Sequence, residues 1–251
     1  MPPALAAAVW GAVAGSALLI GAAVGFYTRI NPRVIAAVMA FGGGVLVSAL
    51  SFDLVDESYR QAGPLVASAG FLAGALLFTL GTVALNRHGA RHRKRSGDQQ
   101  PSEANAPGSG LTLALGALID GVPESIAIGV SLISGGAVSG IAVAAVFLSN
   151  VPEGLSSAAG MRRAGRSARY VFGVWGGIAL ASAVASLIGY VAFSRLPHEA
   201  VAFTIATAGG AILAMLADTM MPEAYEHAHD AAGLITGIGF LLAFLLTKWE
   251  Q

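Results

Sequence analysis

Cysteine is absent from this chain of 251 residues, which excludes disulfides and thiolate metal sites together. Charge is scarce as well: Asp, Glu, Lys and Arg make up 11% of the residues, against roughly a quarter in ordinary soluble domains. The 14 basic and 14 acidic residues cancel, so no whole-molecule field points toward nucleic acid. Met1 to Trp10 contains no Lys or Arg, so it lacks the basic start of a cleavable signal peptide, and its apolar stretch reads as a retained membrane helix. Nothing marks a soluble domain.

What is present is apolar. Hydrophobic residues reach 55% and the mean hydropathy is +0.71. A membrane-spanning helix needs roughly 20 apolar residues at about 1.5 Å of rise each. Eight such runs are read, at about 5–27, 32–56, 63–85, 111–133, 138–160, 170–193, 199–221 and 231–248. One polar interruption, Asn86 to Gly110, has a basic start and a Pro/Ser/Gly-rich end and reads as a flexible loop within one membrane domain, 1–251. With the N-terminus outside, the inner loops hold Arg29 and Arg33, then Arg87, Arg91, Arg93, Lys94 and Arg95, then Arg162, Arg163, Arg166 and Arg169. The outer side keeps Arg60, Arg195 and Lys248. The positive-inside rule therefore places both termini on the outer side.

Two of the apolar runs carry Pro-Glu. In Gly121-Val122-Pro123-Glu124-Ser125 the acid follows Asp120 by four residues, which puts both on one helix face. In Asn150-Val151-Pro152-Glu153-Gly154 the acid shares a face with Ser149 and Asn150. The fourth and fifth helices are expected to be antiparallel neighbours, with Asp120 level with Glu153 and Glu124 level with Ser149. Pro123 and Pro152 cannot donate to the carbonyls of Ile119 and Leu148, so each frees an oxygen beside the acids. Neither run contains Lys or Arg. One acid in a membrane helix is easily kept neutral or used to bond a neighbour. Three acids with hydroxyl, amide and carbonyl oxygens, and no cation to meet them, form a cage suited to a divalent ion.

These motifs resemble those of the ZIP family of divalent-metal transporters. The fourth-helix pattern of that family is His-Asn-x-Pro-Glu-Gly, and Asp120-Gly121-Val122-Pro123-Glu124-Ser125 is similar to it; Asn150 to Gly154 resembles the fifth-helix partner. The resemblance covers nearly the whole chain, as a divergent bacterial-type member. It implies eight transmembrane helices in a 3+2+3 arrangement, a homodimer, a cell (inner) membrane location and import of a metal cation. The primary site it implies falls on Asp120, Glu124, Ser149 and Glu153, with Asn150 in the motif. The chain departs from the pattern in several places. Asp120 and Gly121 stand for His-Asn, Tyr170 to Phe193 contains no acid, helix seven keeps only Pro222-Glu223 of its motif, and helix two has Asp56-Glu57. Carboxylate in place of imidazole hardens the site. Zinc is the substrate the family implies, and the harder donors admit manganese or iron(II).

Further polar residues fit entry and exit. Asp53, Asp56 and Glu57 close helix two on the outer side, where their field draws cations. Asp218 and Glu223, followed by Glu226, His227, His229 and Asp230, are placed at the inner end of helix seven to receive the departing ion. His88 and His92 belong to the basic loop. Gly42 to Gly44, Gly176-Gly177 and Gly209-Gly210 are read as close helix contacts. An intramembrane protease does not fit: residues 116–119 lack the Gly-x-Gly before Asp120, and the histidines lie in loops or at helix ends. The rival reading is a membrane metal sensor that binds without transporting, and no prosthetic group is expected.

Overall fold

The computed structural model describes residues 1–87, 109–135 and 140–250 and shows helices, with no strand among them. The helices are α1 (Pro3–Tyr27), α2 (Pro32–Ala49), α3 (Asp56–Asn86), α4 (Ser109–Gly135), α5 (Gly140–Arg163), α6 (Ala168–Phe193), α7 (His198–Met215), α8 (Met221–Ala228) and α9 (Ala231–Glu250). Two π-helical segments, Leu50–Val55 and Leu216–Met220, join α2 to α3 and α7 to α8. Most of the polar loop, with His88 and His92, lies outside the described residues.

Local chemistry sets the ends. Proline opens α1 and α2, where its missing N–H costs nothing, and Asn31 Oδ1 accepts from Arg33 N at 2.9 Å ahead of α2. Ser167 caps α6 by accepting from Tyr170 N. Gly165, at φ 81°, ends α5: its N–H meets Arg162 O while Arg166 N meets Met161 O, both at 3.0 Å. The second run does not stop at residue 56 as its hydropathy suggests. The helical path continues through the π segment into α3 and breaks at Gly63, whose φ of 76° and ψ of −179° suit glycine before Pro64. The acidic residues Asp53, Asp56 and Glu57 therefore lie within a helical rod.

Among the described residues, six helical stretches are long and apolar enough to cross a membrane, the path from Pro32 to Asn86 counted as one. Leu65, Leu72, Leu77, Leu180 and Leu234 are each more than 60% exposed. A soluble monomer seldom shows so much apolar surface. The protein is an all-helical, multi-pass membrane protein.

The helices pack as two groups. In one, α1 lies along α5 and α6, and α4 along α6; in the other, α3 lies along α7, and α2 along α9 and α8. Contacts of α2 with α5 and of α4 with α7 join them. Lipid offers no hydrophobic drive between helices, so close backbone approach supplies the attraction. A Cβ on Gly44 would collide with the backbone carbonyl of Thr236, and one on Gly239 with that of Phe41. The same interlock recurs where Gly210 meets the carbonyl of Phe71 and Gly74 that of Thr207. Gly43, Gly44, Leu46, Leu50, Glu57 and Tyr59 recur in register as Gly209, Gly210, Ile212, Leu216, Glu223 and Tyr225. Residues 43–59 and residues 209–225, each crossing a π segment, thus share one pattern. Gly176 and Gly177 do not join in: among the described residues a Cβ on either meets nothing within 4 Å, contrary to the close contact expected of them.

Relative directions follow from these contacts. Asn150 meets Ala14 and a Cβ on Gly25 would meet Leu155, so α1 and α5 run parallel. Gly11 faces Ser186 and Gly15 faces Ala179, so α1 and α6 are antiparallel.

Candidate metal centre

The motif residues are buried. Asp120, Glu124 and Ser149 are each 1% exposed, Glu153 3% and Asn150 4%, and no Lys, Arg or His accompanies them in the buried set among the described residues. Burial of this kind is costly for carboxylates unless a cation or hydrogen bonds meet them.

Each residue is held by a different neighbour. Gly121 faces Ser182 and Ile178 of α6, which fixes the rotation of α4. Gly154 rests against the carbonyl of Leu18 and Gly21 against that of Val151, so α5 lies tight on α1. Pro152 fits against Gly42, where an added Cβ would lie 3.0 Å from Pro152 Cγ and 3.4 Å from Ser149 Cα. The Pro-Glu turn of α5 is therefore seated at the junction with α2.

Asn150 is the most informative donor. Its Nδ2 donates to the carbonyl of Ala14 at 2.9 Å, which fixes the amide orientation, since a flipped amide would set oxygen against oxygen. Its Oδ1 is buried and accepts no hydrogen bond among the described residues. An acceptor oxygen left this way suits a cation. Ser149 Oγ donates to Val146 O at 2.8 Å and Ser125 Oγ to Gly121 O at 2.8 Å, and each hydroxyl oxygen keeps lone pairs for a ligand.

The expected side-by-side packing of α4 and α5 is corrected. The two helices touch little; α4 leans on α6, α7 and α1, whereas α5 leans on α1 and α2. The small residues decide this, because Gly21, Gly25 and Gly154 draw α5 onto α1, and Gly129 draws α4 onto α6. Among the described residues, no three His, Asp or Glu side chains gather as a metal-binding group. Any cage here mixes carboxylate with hydroxyl and amide oxygens.

The outer and inner acids differ in burial. Glu223, on α8, is 1% exposed and accepts from Ser156 Oγ at 3.2 Å, so it joins α8 to α5. Asp218, in the π segment, is exposed, while Asp53 is half-buried. Asp56 pairs with Arg60 at 2.5 Å and Glu57 Oε1 accepts from Gln61 Nε2 at 2.7 Å, which weakens the acidic field ascribed to this end. His227 is half-buried and His229 exposed, with Tyr225 edge-on to His229. Ser156 and Ser157, buried just past the motif, were not legible as site residues.

The prolines take different surroundings. Pro152 is enclosed at the α2–α5 junction, whereas Pro123 and Ile119 help to line an apolar cleft of about 390 Å³ with Leu77 and Phe78 of α3 and Thr204 and Thr207 of α7. In an ordinary helix, replacing an internal proline stabilises by up to about 3 kcal/mol. Pro123→Ala is therefore expected to raise thermal stability in detergent. Pro152→Ala should gain less, because it also empties the contact with Gly42. Both should slow transport if the freed carbonyls serve the ion. Melting temperature and uptake measured on the same preparations check this, and full transport by a stabilised variant would remove the prolines from the mechanism.

No family model matches the chain, and no curated protein matches it in sequence.

Proposed function

We propose that this protein imports a divalent transition-metal ion through a mid-membrane site on α4 and α5. The observation that carries the reading is the buried set of Asp120, Glu124, Ser149, Asn150 and Glu153, which holds oxygen donors while no Lys, Arg or His is buried among the described residues. Oxygen-rich sites select hard or borderline divalent ions. Zinc is the ion implied by the ZIP-like motifs, and the carboxylate at Asp120 favours manganese or iron(II) beside it.

The architecture suits a carrier. Breaking the long helical path at Gly63, and joining α7 to α8, gives eight rods. Parallel α1 and α5 and antiparallel α1 and α6 are what alternation over eight crossings requires. With both termini outside, the first and last three rods form an inverted repeat, a design in which ions bind near the bilayer middle between repeats. The α2–α5 and α4–α7 contacts are then the surfaces that shift during alternating access. Glu223 of α8, bonded to Ser156 of α5, is a second acid available to the moving ion. A homodimer in the cell (inner) membrane completes the reading.

Uptake by purified protein in liposomes, with several metals in competition, tests it. Saturable uptake supports a carrier, binding without uptake assigns a sensor, and neither would overturn the site. A narrower test uses Asp120→His, which replaces a hard donor with a borderline one. The zinc-to-manganese uptake ratio is expected to rise. An unchanged ratio would show that Asp120 does not touch the ion.

A further inference from the structure

Where the turn between α1 and α2 meets the end of α5, a second cavity of about 310 Å³ is lined by Arg29, Arg162 and Arg163, with Thr28, Ile30 and Ala159 between them. Arg162 is already engaged: its Nη1 donates to Phe26 O at 2.7 Å and to Thr28 O at 3.1 Å, covering the carbonyl end of α1. Its geometry is thereby fixed. No carboxylate among the described residues pairs with Arg29, Arg162 or Arg163. Three guanidinium groups around one concavity repel each other unless an anion joins them, and planar guanidinium donors match a phosphate group well.

The surroundings give the level in the membrane. Phe26, Tyr27 and Phe172 cluster beside the cavity, with Tyr27 and Phe172 stacked at 5.7 Å and Tyr27 67% exposed. Aromatic clusters with outward-facing tyrosine sit at headgroup depth, and the arginines mark the inner leaflet under the orientation adopted above. Basic pockets between helices on that side hold anionic headgroups. Ordinary inside-positive charge accounts for Arg33 and Arg169, which line no part of this cavity. It does not account for a cavity with three arginines on its wall.

We propose that this cavity binds a phosphate group, presented by an anionic phospholipid of the inner leaflet. Arg29 and Arg163 supply the free charge, and Arg162 is the prepositioned third donor. Because Ile35 of α2 also lines the cavity, the bound headgroup touches both helix groups.

The test uses the full chain in nanodiscs of phosphatidylcholine, with or without phosphatidylglycerol. Thermal unfolding and native mass spectrometry of retained lipid are read together. The cavity pair Arg29→Gln with Arg163→Gln is compared with the surface pair Arg33→Gln with Arg169→Gln, which removes the same charge. Phosphatidylglycerol is expected to raise the melting temperature of wild type and surface pair. Retention should be roughly tenfold weaker in the cavity pair. Equal losses in the two pairs would mean diffuse charge attraction, and undiminished retention in the cavity pair would mean no role for it; either overturns the proposal. A separate arm adds inorganic phosphate to protein in neutral detergent. No stabilisation there supports the lipid as the source, whereas stabilisation matching that by phosphatidylglycerol overturns the lipid assignment. Should the cavity pair fail to fold in phosphatidylcholine alone, the single variant Arg163→Gln, at an exposed position, carries the same comparison.

Discussion

Glu124→Ala and Glu153→Ala are each expected to remove saturable metal uptake while leaving the protein folded in the membrane. Loss of a residue that merely supports a metal ligand costs about 10- to 100-fold in affinity, so loss of a direct ligand should cost at least that. Stability should not fall in parallel. Each carboxylate is almost fully enclosed, so its removal relieves a desolvation cost while giving up the contacts it makes, and the two effects offset. The isosteric variants Glu124→Gln and Glu153→Gln separate charge from shape, because they keep the volume and lose the anion. Uptake into liposomes and melting in detergent, taken on one preparation, give both readouts. Normal uptake by either alanine variant would remove that acid from the site; a collapse of both fold and uptake would assign it to packing.

The second large effect concerns backbone contact. Gly44→Ala is expected to destabilise the protein by about 3 kcal/mol or more, at the upper end of overpacking costs. The new methyl would overlap the carbonyl of Thr236 and crowd the amide of Phe240, and backbone atoms cannot rotate away. Gly210→Ala should do the same against Phe71 and Ala75 in the matching half. Gly43→Ala is the control. Its methyl would clash only with the terminal Cε of Met221, a flexible side chain that can swing aside, so a cost under about 1 kcal/mol is expected. Gly177→Ala meets nothing and should be neutral or slightly stabilising, as alanine favours the helix. Melting temperatures in one detergent rank the four. A Gly43→Ala variant as unstable as Gly44→Ala would contradict the tight backbone interlock of α2 with α9.

Much of the candidate site was readable because its signal is chemical contrast. Asp120, Glu124 and Glu153 stand out in runs with no Lys or Arg, and a carboxylate in such a run must turn inward from lipid; all three do. Asp218, expected near the inner end of helix seven, is exposed, since a residue near a rod end can reach outward to the headgroup zone. Glu223 lies in the seventh rod as expected, but is more deeply enclosed there than hydropathy implies. Hydropathy ends a helix where polar residues begin, yet the helical path runs on past Pro222 and carries Glu223 into the interior.

The sequence by itself determined the solvent and the element type. Long apolar runs with so few charges must be helical, since a chain in hydrocarbon has to satisfy its own backbone groups. It also determined which polar side chains face inward, through their spacing on a helix face. Only the tertiary structure decided which helix lies beside which. Leucine is as comfortable against lipid as against protein, so the apolar pattern is silent about partners. Pairing is set where glycine lets two backbones approach, and that depends on both surfaces at once. Thus α5 lies on α1 through Gly21, Gly25 and Gly154 rather than on α4, and Glu223 meets Ser156 across a contact that no spacing along the chain encodes.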